Sequence, residues 1–301
     1  MKTAKYVLGA LALFVWVGSA HGFSSGDQPT TEPLAKSLLW KIEGADIQTS
    51  YLYGTFHILS PDDMFLQEGV EEAFAETGQL VLELDMDDPK MQRTMMKHVT
   101  MKGKVTLKDL LSEEDYALLD ERLKGFMGVG AGLFKKWMPG MLSTVFVLEV
   151  IGEEPASVEG SLMEIAKAEE EEVYGLETVE DQLELFHSIP YEDQAKGLVE
   201  FLHNAEMGAA QMKQMSELYV AQDIEGLYEL VESDPSSSAL PTDTFLDARN
   251  EKWIPRMAEY ASETPTFFAV GSGHLAGEKG VINLLREAGY TVTPVLVSAE
   301  D

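Results

Sequence analysis

Cysteine is absent from the 301 residues. That excludes disulfides, thiol catalysis, Cys-ligated zinc, iron–sulfur clusters and a lipid anchor on a lipobox cysteine. Basic residues are scarce, with 22 Lys and Arg against 52 Asp and Glu, a formal net charge of −30. A chain this acidic lacks the cations that bind nucleic-acid phosphates, and it is poorly matched to an anionic lipid surface. Beyond residue 20 no apolar run is long enough to span a bilayer. Also missing are His-Glu-x-x-His, Gly-x-Ser-x-Gly, a phosphate-loop lysine and a dinucleotide fingerprint. The acidic residues do not follow a calcium-loop pattern. Any metal must therefore be held by His, Asp, Glu or Met.

What is present is a globular composition, 45% hydrophobic and 25% charged. Residues 1–20 read as a secretory signal. Lys2 and Lys5 precede the apolar run Tyr6 to Val17, and Gly18-Ser19-Ala20 offers small residues for cleavage. Export is expected, with no stable membrane anchor after cleavage. Residues 21–36 read as a polar linker, and 37–301 as one domain.

Strand patterns cluster at both ends of that domain. Ser37–Glu43, Gln48–Gly54 and Leu80–Asp85 lie near the start, and Thr266–Val270 and Tyr290–Val297 near the finish. The middle, about residues 89–260, is mostly helical in pattern, with a short strand at Val173–Glu177. A helix is expected over Leu162–Glu171, interhelix loops at Gly125–Gly132 and Ser233–Ser238, and a last helix over Glu278–Ala288. The expected fold is α/β or α+β. Its central sheet is built from the N- and C-terminal segments, and the helical middle forms a cap.

Two segments combine strand, glycine and histidine. Gly54-Thr55-Phe56-His57 follows the strand at Tyr51–Tyr53, and Gly271-Ser272-Gly273-His274 follows Phe267–Val270. Glycine there permits a positive φ and a sharp exit from the strand. Each histidine would then lie beyond a strand's carboxyl end, where open α/β sheets bind ligands. Glu83 sits inside the apolar strand Val81-Leu82-Glu83-Leu84-Asp85. A carboxylate there is costly to bury unless paired, protonated or metal-bound. Two histidines and a carboxylate form a reasonable catalytic metal site. Either histidine read alone is more often a structural or solvent-facing residue than a ligand.

These segments resemble the TraB/GumN family, which includes the Tiki-type metalloproteases and is related to the erythromycin-esterase-like fold. The resemblance spans about residues 38–297. It rests on Leu39-Trp40-Lys41-Ile42, Tyr53-Gly54-Thr55-Phe56-His57, the Glu83 strand, Gly175-Leu176-Glu177-Thr178, Asp247-Ala248-Arg249-Asn250 and Val270-Gly271-Ser272-Gly273-His274. It implies active-site positions at His57, Glu83 and His274, and a recurrent arginine at Arg249. By chemistry, Arg249 could clamp a substrate carboxylate or stabilise an oxyanion. Glu177 matches the Gly-Leu-Glu-Thr segment, either orienting a histidine or placing charge at a helix N-terminus. Glu159, in Ser157-Val158-Glu159-Gly160, stands where the family often has Gly-(Ile/Val)-Asp and is a minor candidate.

The resemblance implies an exported, metal-dependent hydrolase of peptides or proteins, periplasmic or else secreted. His57, Glu83 and His274 would hold Mn, Co or Zn, or one histidine would act as general base. The alternative is a non-enzymatic periplasmic protein that binds peptides or signals in the same cleft. A Met/His cluster at Met91, Met95, Met96 and His98, with Met101 beyond, suits Cu(I) in principle, but Met at helical spacing is usually packing. Met207, Met212 and Met215 read as a packed face or as the lining of a groove under the cap.

Overall fold

The computed structural model describes residues 33–151, 155–233 and 243–296. The signal (1–20), most of the linker, the loop after Ser233 and Val297 lie outside them. The architecture is mixed α/β around one six-stranded sheet. Its strands are β1 (Leu39–Glu43), β2 (Ser50–Thr55), β3 (Leu80–Leu84), β4 (Val173–Glu177), β5 (Phe267–Gly271) and β6 (Thr291–Pro294). They lie in the order β4-β3-β5-β2-β1-β6.

The sheet has two halves of different character. β4, β3, β5 and β2 are parallel neighbours, whereas β1 runs antiparallel to both β2 and β6. Sequence reflects this division. Phe267-Phe268-Ala269-Val270-Gly271 and Leu80-Val81-Leu82-Glu83-Leu84 are buried at every position, the near-continuous apolar pattern of a parallel sheet covered on both faces. β6 is an edge strand, with Thr291 and Thr293 exposed, Val292 buried and Pro294 at its end. Four parallel strands bring their carboxyl ends to one side, and every candidate site residue lies on or near that side.

The sheet draws on the chain's ends, as its pattern predicts, and β4 joins it from the helical middle. Helices α1 (Val70–Ala75), α2 (Met91–His98), α3 (Leu107–Leu110), α4 (Glu113–Met127) and α5 (Pro139–Ile151) follow the first strands. α5 is buried from Pro139 to Leu148, so its apolar residues surround the whole helix and no polar stripe is left. Next come α6 (Val158–Ala168), α7 (Val179–Ser188), α8 (Tyr191–His203), α9 (Ala205–Val220) and α10 (Ile224–Glu232). The long α11 (Ala248–Glu263) leads into β5, and α12 (Val281–Glu287) into β6.

Two expectations need correction. Gly125 lies inside α4, which continues to Met127 before Gly128 ends it at φ +74°. The acidic helix begins earlier than its pattern suggests, because Ser157 caps it by accepting from Gly160 N–H, and it ends at Ala168.

Candidate functional site

Parallel pairing sets the site's frame. Thr55 lies opposite Gly271, so β2 and β5 end side by side, and Leu80 and Val81 of β3 pair with Phe267 and Phe268. His57 follows β2 by two residues, Glu83 is the penultimate residue of β3, and His274 closes the short 3-10 turn after β5. The structure brings these three together. His57 Nε2 and His274 Nε2 each lie 3.8 Å from Glu83 Oε1.

The glycines before the two histidines do not act through backbone freedom. Neither Gly54 nor Gly271 has a positive φ, and both lie in strands. Their role is close approach. A Cβ on Gly271 would stand 3.1 Å from His57 Nε2 and 3.2 Å from Glu83 Oε1. A Cβ on Gly54 would stand 2.7 Å from Leu275 Cδ1, just after His274. Gly271 also donates its N–H to Glu83 Oε1 at 2.8 Å.

Each histidine has a different partner at Nδ1. His57 Nδ1 meets Glu159 Oε1 at 2.5 Å. Glu159 is fixed in turn by Ser157 Oγ, which donates to Oε2 at 2.8 Å. Burial works against a charge on His57, but Glu159 and then Glu83 outweigh it and push the His57 pKa up to about 9. Burial likewise disfavours the Glu159 carboxylate, and His57 holds its pKa below the usual value. His274 is paired with a neutral amide, its Nδ1 lying 2.6 Å from Asn250 Oδ1. Asn250 Nδ2 donates to the Lys279 carbonyl at 2.9 Å, which orients the amide with its oxygen toward the ring. His274 therefore carries its proton on Nδ1 and presents a lone pair at Nε2. Burial, then the Arg249 charge, push the His274 pKa down to about 3.

Arg249 enters from the first turn of α11 and is buried. Nη2 donates to Glu83 Oε2 at 2.5 Å and to Glu177. Nε donates to Glu177 Oε1 at 3.0 Å. Nη1 donates to the Phe245 carbonyl at 3.2 Å and to His274 Nε2 at 3.1 Å. All five guanidinium N–H groups are thus engaged. Burial alone would raise the Glu83 pKa, but Arg249 and both histidines hold it well below the carboxylate range. Trp253 lies against both partners, its ring 4.8 Å from the guanidinium and 4.5 Å from the His274 ring.

Glu177 ends β4, and Thr178 begins α7 through a capping box with Asp181. Glu177 does not orient a histidine. Its partners are Arg249 and Gln182, whose Nε2 donates to Glu177 at 2.7 Å and to Glu83 at 3.3 Å. Glu159, Asn250 and Gln182 are the residues that sequence reading underweights. Their signals are local, since Glu159 follows a helix cap, Asn250 adjoins Arg249 and Gln182 stands four residues after the Gly-Leu-Glu-Thr segment.

The remaining candidates stand apart. Met95 and Met101 are core residues and Met96 is exposed, while the His98 carbonyl lies 3.1 Å from His187 Nε2. Met207 is exposed and Met212 buried on α9. His203 pairs with Asp115 at 2.7 Å.

Among the described residues no three His, Asp or Glu side chains are already drawn together around one ion position. The donors nonetheless suit a divalent ion. The two 3.8 Å separations are close to the edge of a tetrahedral site, roughly 3.4 Å for bonds of ~2.1 Å. The missing Cβ of Gly271 leaves the space between them. A cavity of about 10 Å³, lined by His57, Glu83, Glu159 and Met86 among others, adjoins them. That volume suits about one water molecule.

Among the described residues no helix is long and apolar enough to cross a membrane. No solved structure matches this chain. Two curated proteins of Danio rerio, Metalloprotease TIKI1 and Metalloprotease TIKI2, are each 23% identical to it, over 310 and 347 residues. The alignments cover 85% and 95% of this chain, and 62% and 67% of those relatives' lengths. The sequence profile of the TraB/PrgY/gumN family matches residues 38–294. With its motifs gathered along one side of one sheet and that profile covering nearly the whole described fold, the chain belongs to the TraB/PrgY/gumN family.

Proposed function

We propose that this protein is an exported, metal-dependent hydrolase that acts on peptides or proteins in the periplasm or outside the cell. One observation carries the reading: His57, Glu83 and His274 meet at the carboxyl ends of three parallel strands, where His57 and Glu83 line a cavity sized for one water. His57 Nε2, Glu83 Oε1 and His274 Nε2 are the donors that would hold the ion, and Mn, Co or Zn suit them. When bound, the ion supplies Lewis acidity toward water and a carbonyl oxygen.

The chain's own residues do the rest. Glu159 orients His57 and raises its basicity. Asn250 holds His274 in the tautomer that leaves Nε2 free of a proton. Glu177 and Gln182 keep Arg249 beside Glu83, so the carboxylate stays ionised although buried. The two metalloprotease relatives favour peptide hydrolysis over other hydrolytic reactions.

The test is metal content with turnover. Purified mature protein should hold near-stoichiometric Mn, Co or Zn by elemental mass spectrometry and cleave peptides in a screen with that metal. His57→Ala and His274→Ala should lose both properties while keeping the parent's circular dichroism. Full activity in both variants would end the catalytic assignment.

A second reading has its own support. Arg249 has no unengaged donor to offer a substrate, which favours a binding module that keeps the cleft without turnover. Peptide retention that is indifferent to chelator, with no cleavage, would select it.

A further inference from the structure

The contacts of Arg249 bear on how the ion would enter, an inference that rests on the metal-dependent reading above. His274 Nε2 has one lone pair in the plane of its ring. The proton on Nδ1, fixed by Asn250 Oδ1, prevents the ring from offering its other nitrogen. That lone pair accepts from Arg249 Nη1 at 3.1 Å. It cannot accept this hydrogen bond and ligate an ion at once.

The rest of the guanidinium is anchored more firmly. Nε and Nη2 make charge-assisted bonds to Glu177 and Glu83, whereas Nη1 meets two neutral acceptors, the Phe245 carbonyl and His274 Nε2. Every one of these bonds has an ionised donor, but only those to the carboxylates add attraction between opposite full charges and the paired fork geometry. Glu177 is held by Gln182, and the guanidinium lies over Trp253. The end that bonds His274 is thus the weakly held end of a well-anchored group.

We propose that Arg249 is a latch on the metal site. Its Nη1 hydrogen bond to His274 and ligation of an ion by His274 Nε2 are alternative states of one fold. A small tilt of the whole planar guanidinium about its Nε–Nη2 edge, which stays on Glu177 and Glu83, exchanges them. The tilt also releases one guanidinium N–H, so Arg249 gains a donor for a substrate oxygen only once His274 is ligated. This reconciles a fully engaged arginine with a role at a hydrolytic centre.

The experiment is a zinc titration of the chelator-treated protein by calorimetry, comparing the parent with Arg249→Lys, Arg249→Met and each of these combined with His274→Ala. Lysine keeps a cation for Glu83 and Glu177 but cannot reach His274 with a second nitrogen. It therefore keeps the test alive if the methionine variant fails to fold by circular dichroism. Loss of the competing hydrogen bond should tighten zinc binding about tenfold in the folded variants. The gain should vanish in the His274→Ala backgrounds. Binding within twofold of the parent, or a gain that survives His274→Ala, overturns the latch and leaves the metal reading intact. No zinc binding by the parent or by any variant removes the metal reading itself, and the latch with it.

Discussion

His57 and Glu159 stand 102 residues apart in the chain and meet at 2.5 Å between Nδ1 and Oε1. Both are largely removed from water, and each shifts the other toward its charged form. Glu159→Ala should therefore leave a buried histidine without its counter-charge. The expected cost is about 3 kcal/mol of folding stability, read by urea denaturation of chelator-treated protein near neutral pH. Equal stability in the variant would show that the pair contributes nothing.

His57 also sets a pH dependence in the metal-free protein. An unfolded histidine titrates near 6.5, and His57 in the fold titrates at about 9. Its pKa is raised by folding, so its contribution is complete below about pH 6.5 and is lost as pH rises through 9. The two limits differ by roughly 3 kcal/mol. Histidine side-chain resonances should show one ring still protonated at pH 8. His57→Gln should flatten the fall in stability between pH 6.5 and 9.5, and an unchanged fall would assign it to other groups.

The two motif glycines should respond differently to alanine. In Gly271→Ala the new methyl would stand 3.1 Å from His57 Nε2 and 3.2 Å from Glu83 Oε1. Stability should change little, and zinc affinity should fall about tenfold or more. In Gly54→Ala the methyl meets Leu275 at 2.7 Å and Ser272 at 3.2 Å. Overpacking there should cost about 1–3 kcal/mol. Thermal melts and zinc titrations on both variants separate the effects, and the reverse pattern would contradict this assignment.

Asn250 should control the tautomer of His274. Asn250→Ala removes the oxygen that receives the Nδ1 proton, so in the Arg249→Lys background, where Nε2 no longer accepts from Nη1, His274 should become a mixture of tautomers in long-range proton–nitrogen spectra. Zinc affinity should fall by about 10–100-fold, the range for partners that orient a metal-ligating histidine. A single unchanged tautomer in the variant would assign the control elsewhere.

Much of the fold is legible in the sequence because its signals are local. The unbroken apolar runs at Leu80–Leu84 and Phe267–Gly271 mark buried parallel strands, and Thr178 with Asp181 marks a helix start. Glu83 is conspicuous because a carboxylate interrupts such a run. The glycines mislead for the same reason. A Gly before a His suggests a turn, yet Gly54 and Gly271 hold extended backbone and matter for what they leave empty.

By itself the sequence determined the α/β pattern, the net acidic charge, the exclusion of thiol chemistry and the positions of His57, Glu83 and His274 beside their strands, while Arg249 was marked only by the family resemblance. Composition and periodicity suffice for all but the arginine, since the rest depend on neighbours along the chain. Tertiary structure alone decided that β4 joins the sheet from the middle, that Glu159 faces His57 while Asn250 faces His274, and that every N–H of Arg249 is engaged. Those facts depend on which distant groups share a buried space. In that space a charge persists only beside its partner, and no local pattern records which partner that is.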